Sequence, residues 1–373
     1  MTEPPTCLLV VDMQERYRTS ADGSSCAGVA EALRRARSCG MMVVHIQHDI
    51  DAADLVAMNS VLKYVQETHA QGYGEHHLVP LPCAFPAVGE KVVMKRTFDS
   101  FYRTQLHRLL KSAGIRRILI CGLLTGMCVL STTFSAFSRG YEVWLLRDAT
   151  TDSDDRRYEV VHWVYPEISR VSSVAEALHP GDLPQPRLQQ VRQHAPALLA
   201  LPALGAPQPR GGALLILNAS PLYMTPEQIQ RVAALSQAYR FGGGVVYNVH
   251  TETSARGGTA HAFESLFHRP LEVQPALRTG PNIPVNVSSC GVFDNGLRDR
   301  IKERGIGQVA LAGALSGLQV LHALLDAFNR QFWVVLVKDC MFDPQPQRRD
   351  VALDAYDGQL CTGLSGDELL ETM

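Results

Sequence analysis

RRILICGLLTGMCVLSTTFSAFSRGYEVWLLRD runs from Arg116 to Asp148, and GQVALAGALSGLQVLHALLDAFNRQFWVVLVKD runs from Gly307 to Asp339. The two stretches align without a gap, 191 positions apart: Gly122 meets Gly313, Thr125 meets Ser316, Val129 meets Val320, and Asp148 meets Asp339. Each opens on an apolar strand, turns at a glycine, continues as an apolar helix and ends on a second strand. A further pair opens each half, CLLVVDMQERY (Cys7 to Tyr17) and ALLILNASPLY (Ala213 to Tyr223), now 206 positions apart. The second copy is therefore 15 residues shorter between its first strand and its central block. Self-similarity on this scale means two homologous domains.

Outward from the central block, continuous apolar strands are expected at Leu8–Val11, Met42–Ile46, Lys91–Met94, Arg117–Cys121 and Glu142–Leu146. Helical patterns fall between them, at Ala27–Ser38, Thr104–Ala113 and Cys128–Arg139. Strands of this kind, separated by helices, belong to a parallel sheet covered on both faces. The expected architecture is α/β: two tandem three-layer α/β/α domains, each a mainly parallel, doubly wound, Rossmann-like sheet. The first spans 1–178, a Pro/Ala-rich linker spans 179–212, and the second spans 213–373. The 373 residues carry 46% hydrophobic and 19% charged residues with net charge −2. That near-neutral balance argues against a nucleic-acid partner, and the apolar runs are too short for a membrane span. Met1–Pro5 lacks a signal-peptide pattern and the nine cysteines contain no Cys-x-x-Cys pair. Reduced thiols in the cytoplasm are the expectation.

Three chemically capable residues stand at carboxyl strand ends, where ligands bind in such sheets. Asp12 follows the first strand, Lys95 follows a later one, and Cys128 begins the helix after Gly122. A helix N-terminus and a neighbouring ammonium both lower a thiol's pKa and favour the thiolate at Cys128. The carboxylate is suited to take the thiol proton. Each residue also has an ordinary reading: a small core hydrophobe, a turn former and a solvated surface cation. On the residues alone, both readings stand.

VVDMQERY, KRTFDSFYRTQLHRLL and GLLTGMCVLSTTFSAFSRGYEV, in this order, resemble the isochorismatase-like cysteine hydrolases. The likeness covers Thr6–Leu178 and, more weakly, Ala213–Leu369. It implies an Asp–Lys–Cys triad at Asp12, Lys95 and Cys128, and a cis peptide at Leu123–Leu124. It also implies an oxyanion hole formed by the backbone amides of Leu124 and Cys128. Gln14, Tyr17, Phe98, Phe101 and Thr125 lie near these motifs and are expected to line the substrate pocket. The region His45–Asp54 contains His45, His48, Asp49 and Asp51, all residue types that ligate metals. Their spacing departs from the Asp-x-His-Pro stretch of the nicotinamidases, so neither a metal nor another cofactor is expected.

The repeat carries Asp12 onto Asn218, Lys95 onto Asn286 and Cys128 onto Gln319. Amides neither act as bases near neutral pH nor form acyl-thioesters. The second domain is therefore read as a degenerate pseudo-hydrolase. The resemblance makes the tandem an internal pseudo-dimer that is open to further homo-oligomerisation. It also implies hydrolysis of a small amide, carbamoyl or ureido compound through a thioester. Isochorismatase-type vinyl ether hydrolysis and a non-catalytic interaction protein are the alternatives.

Overall fold

Strand β1 (Thr6–Val11) is buried along its whole length, as a strand at the centre of a doubly covered sheet must be. In the computed structural model, which describes residues 4–49, 78–179, 212–252, 282–286, 292–293 and 296–373, it lies at the middle of the first of two compact units. The other strands of that unit are β2 (Met42–His48), β3 (Lys91–Lys95), β4 (Arg117–Leu123), β5 (Glu142–Thr151) and β6 (Arg170–Ser172). They pair in the order β3-β2-β1-β4-β5-β6, every pairing parallel. The second unit holds β7 (Ala213–Leu217), β8 (Val245–Glu252), β9 (Asn282–Asn286), β10 (Gln308–Ala314), β11 (Trp333–Phe342) and β12 (Thr362–Leu364). Its order, β12-β11-β10-β7-β8-β9, is the same topology, again all parallel. The chain is thus built from two tandem α/β sheets.

In both units the strand order reverses beside the first strand, between β1 and β4 and between β7 and β10. Helices leave opposite faces of the sheet there, and a crevice opens at the carboxyl ends. Asp12 and the turn carrying Cys128 flank that crevice in the first unit.

Local chemistry accounts for most element boundaries. The first helix begins at Gly23 because the Asp22 carboxylate accepts the Ser25 amide at 2.6 Å, which caps it four residues before the apolar pattern starts. Strand β5 runs five residues beyond the expected Leu146, because a bulge between Ile120 and Gly122 shifts its register and brings Thr150 and Thr151 beside Gly122 and Leu123. The expected linker, 179–212, lies almost wholly outside the described residues. Among the described residues no helix is long and apolar enough to cross a membrane, and all eight cysteines are unpaired.

Gly122 is the tightest point of the first sheet. Its φ is +115°, and a Cβ there would lie 2.0 Å from the Val11 carbonyl oxygen. Gly313 repeats this with φ +122° and 2.1 Å to the Leu217 oxygen. Backbone has nowhere to yield at these distances, so Gly122→Ala is expected to cost about 3 kcal/mol or more. Chemical denaturation of the full chain checks this, and an unchanged midpoint would show that β1 and β4 tolerate the extra atom.

Candidate active site

Asp12 ends β1 with φ +54°, a left-handed conformation that Asp and Asn tolerate better than most residues. Its amide donates to the Ile46 carbonyl at 3.0 Å, which ties the turn to β2. Asn218 repeats this in the second unit, with φ +49° and a 2.9 Å bond to Val249. Lys95 ends β3, opposite His48 in the parallel ladder. Cys128 sits in the wide helical turn Thr125–Val129 that leads into the helix Leu130–Ser138. The Leu123–Leu124 peptide bond before that turn is cis.

These elements bring the three expected residues together. Lys95 Nζ lies 2.8 Å from Asp12 Oδ2, with both side chains fully buried, and also donates to the Phe98 carbonyl at 2.8 Å. Asp12 is within hydrogen-bonding reach of Cys128 as well. Burial pushes the Asp12 carboxyl above the usual carboxylate range, although the Lys95 cation opposes the shift. For Lys95, burial would lower the ammonium, but Asp12 and Cys128 outweigh it and the net shift is upward. The Cys128 thiol is pushed up by burial more strongly than Lys95 pulls it down. Desolvation thus opposes the thiolate that the helix end and Lys95 favour, and ionising the sulfur draws on a base.

Backbone donors complete the site. Among the described residues the Leu124 amide has no acceptor, and the Cys128 amide has none outside its own turn. The second unit differs. Its Leu315 adopts φ +59° and its carbonyl accepts the Gln319 amide at 2.8 Å, which spends the donor at the matching position.

The expected pocket residues separate into two groups. Tyr17 and Phe98 reach the site through His48: Tyr17 Oη lies 2.8 Å from His48 Nδ1, and the Phe98 ring meets the imidazole edge-on at 6.0 Å. Gln14 is buried and clamps the His48 backbone, accepting its N–H at 2.7 Å. Thr125 binds the scaffold, with its Oγ1 2.8 Å from Thr150 Oγ1 and its carbonyl accepting the Tyr165 hydroxyl. Phe101 packs on Tyr141 and beneath Arg139.

Two features were missed in the sequence. His48 was considered only as a metal ligand, yet one of its nitrogens lies within 4.8 Å of an Asp12 carboxylate oxygen and of the Cys128 sulfur. Asp152 accepts the Gly126 amide at 2.8 Å and forms a buried ion pair with Arg157 at 2.6 Å, which braces the turn that carries Cys128. The repeat contains the clue, since Asp343 accepts the Gly317 amide at 3.0 Å at the matching place.

The candidate metal ligands do not form a set. His45 and His48 are three residues apart on one strand and so face opposite sides of the sheet. His45 pairs instead with Glu90 at 2.8 Å. Asp51 lies outside the described residues.

The degenerate positions also need one refinement. Asn286 matches Lys95 along the chain, but the sheet registers differ by one. Ile46, which accepts the Asp12 amide, pairs with Val93, two residues before Lys95. Val249, which accepts the Asn218 amide, pairs with Ile283, so the same step leads to Val285. Neither residue is a cation.

A family model of the isochorismatase domain matches residues 6–174 and 226–366. The chain is 29% identical to a streptothricin hydrolase of Streptomyces noursei over 214 residues, covering 56% of this chain and 75% of that protein. It is 31% identical to the ureidoacrylate amidohydrolase RutB of Methylorubrum extorquens over 173 residues, covering 39% of this chain and 69% of that protein. Among solved structures, an isochorismatase family protein from Desulfovibrio vulgaris aligns with TM-score 0.41 and 20% identity, covering 47% of this chain and 97% of that one.

The Asp12–Lys95 pair makes a stability prediction. Lys95→Met strands a buried carboxylate and is expected to cost about 3–5 kcal/mol, while Asp12→Leu combined with Lys95→Met recovers much of that loss. A double-mutant cycle by urea unfolding measures the coupling, and additive losses would show that the two charges do not depend on each other.

Proposed function

This chain belongs to the isochorismatase family, and we propose that its first unit is a cysteine amidohydrolase. It cleaves a C–N bond of a small amide, carbamoyl or ureido substrate through a thioester on Cys128. The observation that carries this reading is the buried meeting of Asp12, Lys95 and Cys128 at the sheet's switch point. Two relatives are by name a hydrolase and an amidohydrolase, which supports the same class of reaction.

The chemistry follows from the environment of each group. Burial raises the proton affinity of Asp12, which suits it to accept a proton, while the same burial holds the proton on the Cys128 sulfur. Asp12 takes the Sγ proton, and the thiolate attacks the substrate carbonyl carbon. The developing oxyanion accepts hydrogen bonds from the Leu124 and Cys128 amides. The C–N bond breaks, its electron pair stays on nitrogen, and Asp12 returns the proton so that ammonia or an amine departs. Water then attacks the thioester with Asp12 again as base. Lys95 balances the carboxylate charge throughout and holds it in line, while Tyr17 and Phe98 with Gln14, Phe101 and Thr125 shape the surroundings.

The second unit is read as non-catalytic. Asn218 and Gln319 are both buried and supply neither base nor nucleophile, and the Gln319 amide is already spent on Leu315.

A panel of small amides, ureas and carbamoyl compounds, followed by ammonia release and intact mass, tests the reading. Turnover is expected to fall at least about a thousandfold in Cys128→Ala, with an acyl adduct on the wild-type thiol. Activity that survives this change but fails in Asp12→Asn would shift the reaction to acid-catalysed vinyl ether hydrolysis, for which the raised Asp12 carboxyl is suited. No turnover and no thiol adduct across the panel would leave a non-catalytic protein.

A further inference from the structure

The triad chemistry leaves a fourth titratable group of the site without a role. His48 ends β2, is 1% exposed, and places a ring nitrogen within 4.8 Å of both Asp12 and Cys128. Its position is fixed several times over. Gln14 accepts the His48 amide at 2.7 Å and donates to its carbonyl at 3.4 Å. The Tyr17 ring stacks on the imidazole at 6.4 Å and 16°, while its hydroxyl engages Nδ1 at 2.8 Å. Phe98 closes the edge at 74°. A ring held this firmly has one orientation to offer the reacting centre, with Nδ1 at the Tyr17 hydroxyl.

We propose that His48 binds and orients the departing nitrogen of the substrate, and so restricts turnover to amides and ureas whose leaving nitrogen carries a hydrogen. The proposal rests on the amidohydrolase reading above. In acylation the substrate carbon meets Cys128 Sγ and its oxygen lies at the Leu124 and Cys128 amides. The nitrogen must then lie on the side of Asp12, from which it collects its proton. Two hydrogen bonds of about 2.9 Å span up to about 5.8 Å, so one nitrogen reaches both Asp12 and His48 across their separation. In the tetrahedral intermediate that nitrogen donates an N–H to His48 Nε2, while His48 Nδ1–H donates to the Tyr17 oxygen. This turns the nitrogen lone pair toward the Asp12 O–H. The C–N bond then breaks with its electron pair on nitrogen, and the Asp12 proton completes the amine. A dialkylated nitrogen has no hydrogen to give and leaves the imidazole facing alkyl groups.

Acyl donors that differ only in the leaving group test this. The full-length chain, His48→Leu and His48→Asn are compared on the best amide of the panel, its N,N-dimethyl analogue, and 4-nitrophenyl acetate, whose phenolate leaves without a proton or an N–H contact. For His48→Leu, kcat/KM on the amide is expected to fall about tenfold to a hundredfold while Cys128 acylation by the ester stays within about twofold. His48→Asn, which retains a carbonyl acceptor, regains part of the amide activity, and the dimethyl analogue is inert with all three proteins. Equal losses on amide and ester would mean that His48 only supports the fold. An unchanged amide rate, or full turnover of the dimethyl analogue, would also overturn the proposal. If the wild-type chain is acylated by the ester but turns over no amide, the amidohydrolase reading fails and takes this one with it. Matched thermal midpoints keep a folding defect from imitating a catalytic one.

Discussion

A carboxylate and an ammonium stripped of water and set 2.8 Å apart organise the first unit. Each charge alone would cost several kcal/mol to bury, and only their mutual contact with well-placed hydrogen bonds offsets that cost. The geometry of the sheet makes the pairing demanding. β2 lies between β1 and β3, so the two strand ends are about 10 Å apart. A long, compactly charged side chain is needed to cross the end of β2, and lysine supplies it with donors to spare for the Phe98 carbonyl. The residue crossed over is His48, which explains why its ring lies beside the reacting groups. The same desolvation that makes the pair costly raises the proton affinity of both Asp12 and Cys128. The base and the nucleophile of the proposed reaction therefore share a single environment.

The second unit shows what the fold keeps when amides stand in place of the candidate catalytic groups. Its strand order, its bulge at Gly313, its left-handed residue after the first strand and its aspartate brace under the helix-leading turn all persist. Several differences fall at the crevice. Asn218 keeps the backbone conformation of Asp12 without its charge, the β8–β9 register is offset by one residue, and Leu315 consumes the Gln319 amide. A sheet buried on both faces is held by apolar packing and ladder hydrogen bonds, so the crevice groups can be lost without losing the architecture.

The repeat, the parallel strands and the three strand-end residues were legible because each is written locally. Apolar runs mark strands, glycines mark turns, and an ungapped offset aligns one copy with the other. The bulge that extends β5 and the offset of β9 were not. They depend on which backbone groups meet across the sheet, and no linear pattern encodes that. The burial that opposes a Cys128 thiolate is hidden from the sequence for the same reason. A helix terminus and a nearby lysine are visible in a string of letters, whereas the depth at which the sulfur lies is not.

By itself the sequence determined two copies of one α/β fold, a family resemblance and a candidate Asp–Lys–Cys set present in only one of them. These follow from periodicity and residue identity, which need no third dimension. Only the tertiary structure decided that Asp12, Lys95 and Cys128 share one buried volume and that His48 belongs with them rather than with His45. Those outcomes depend on through-space distance and on the loss of water. Both arise only when strands far apart in the chain are laid side by side.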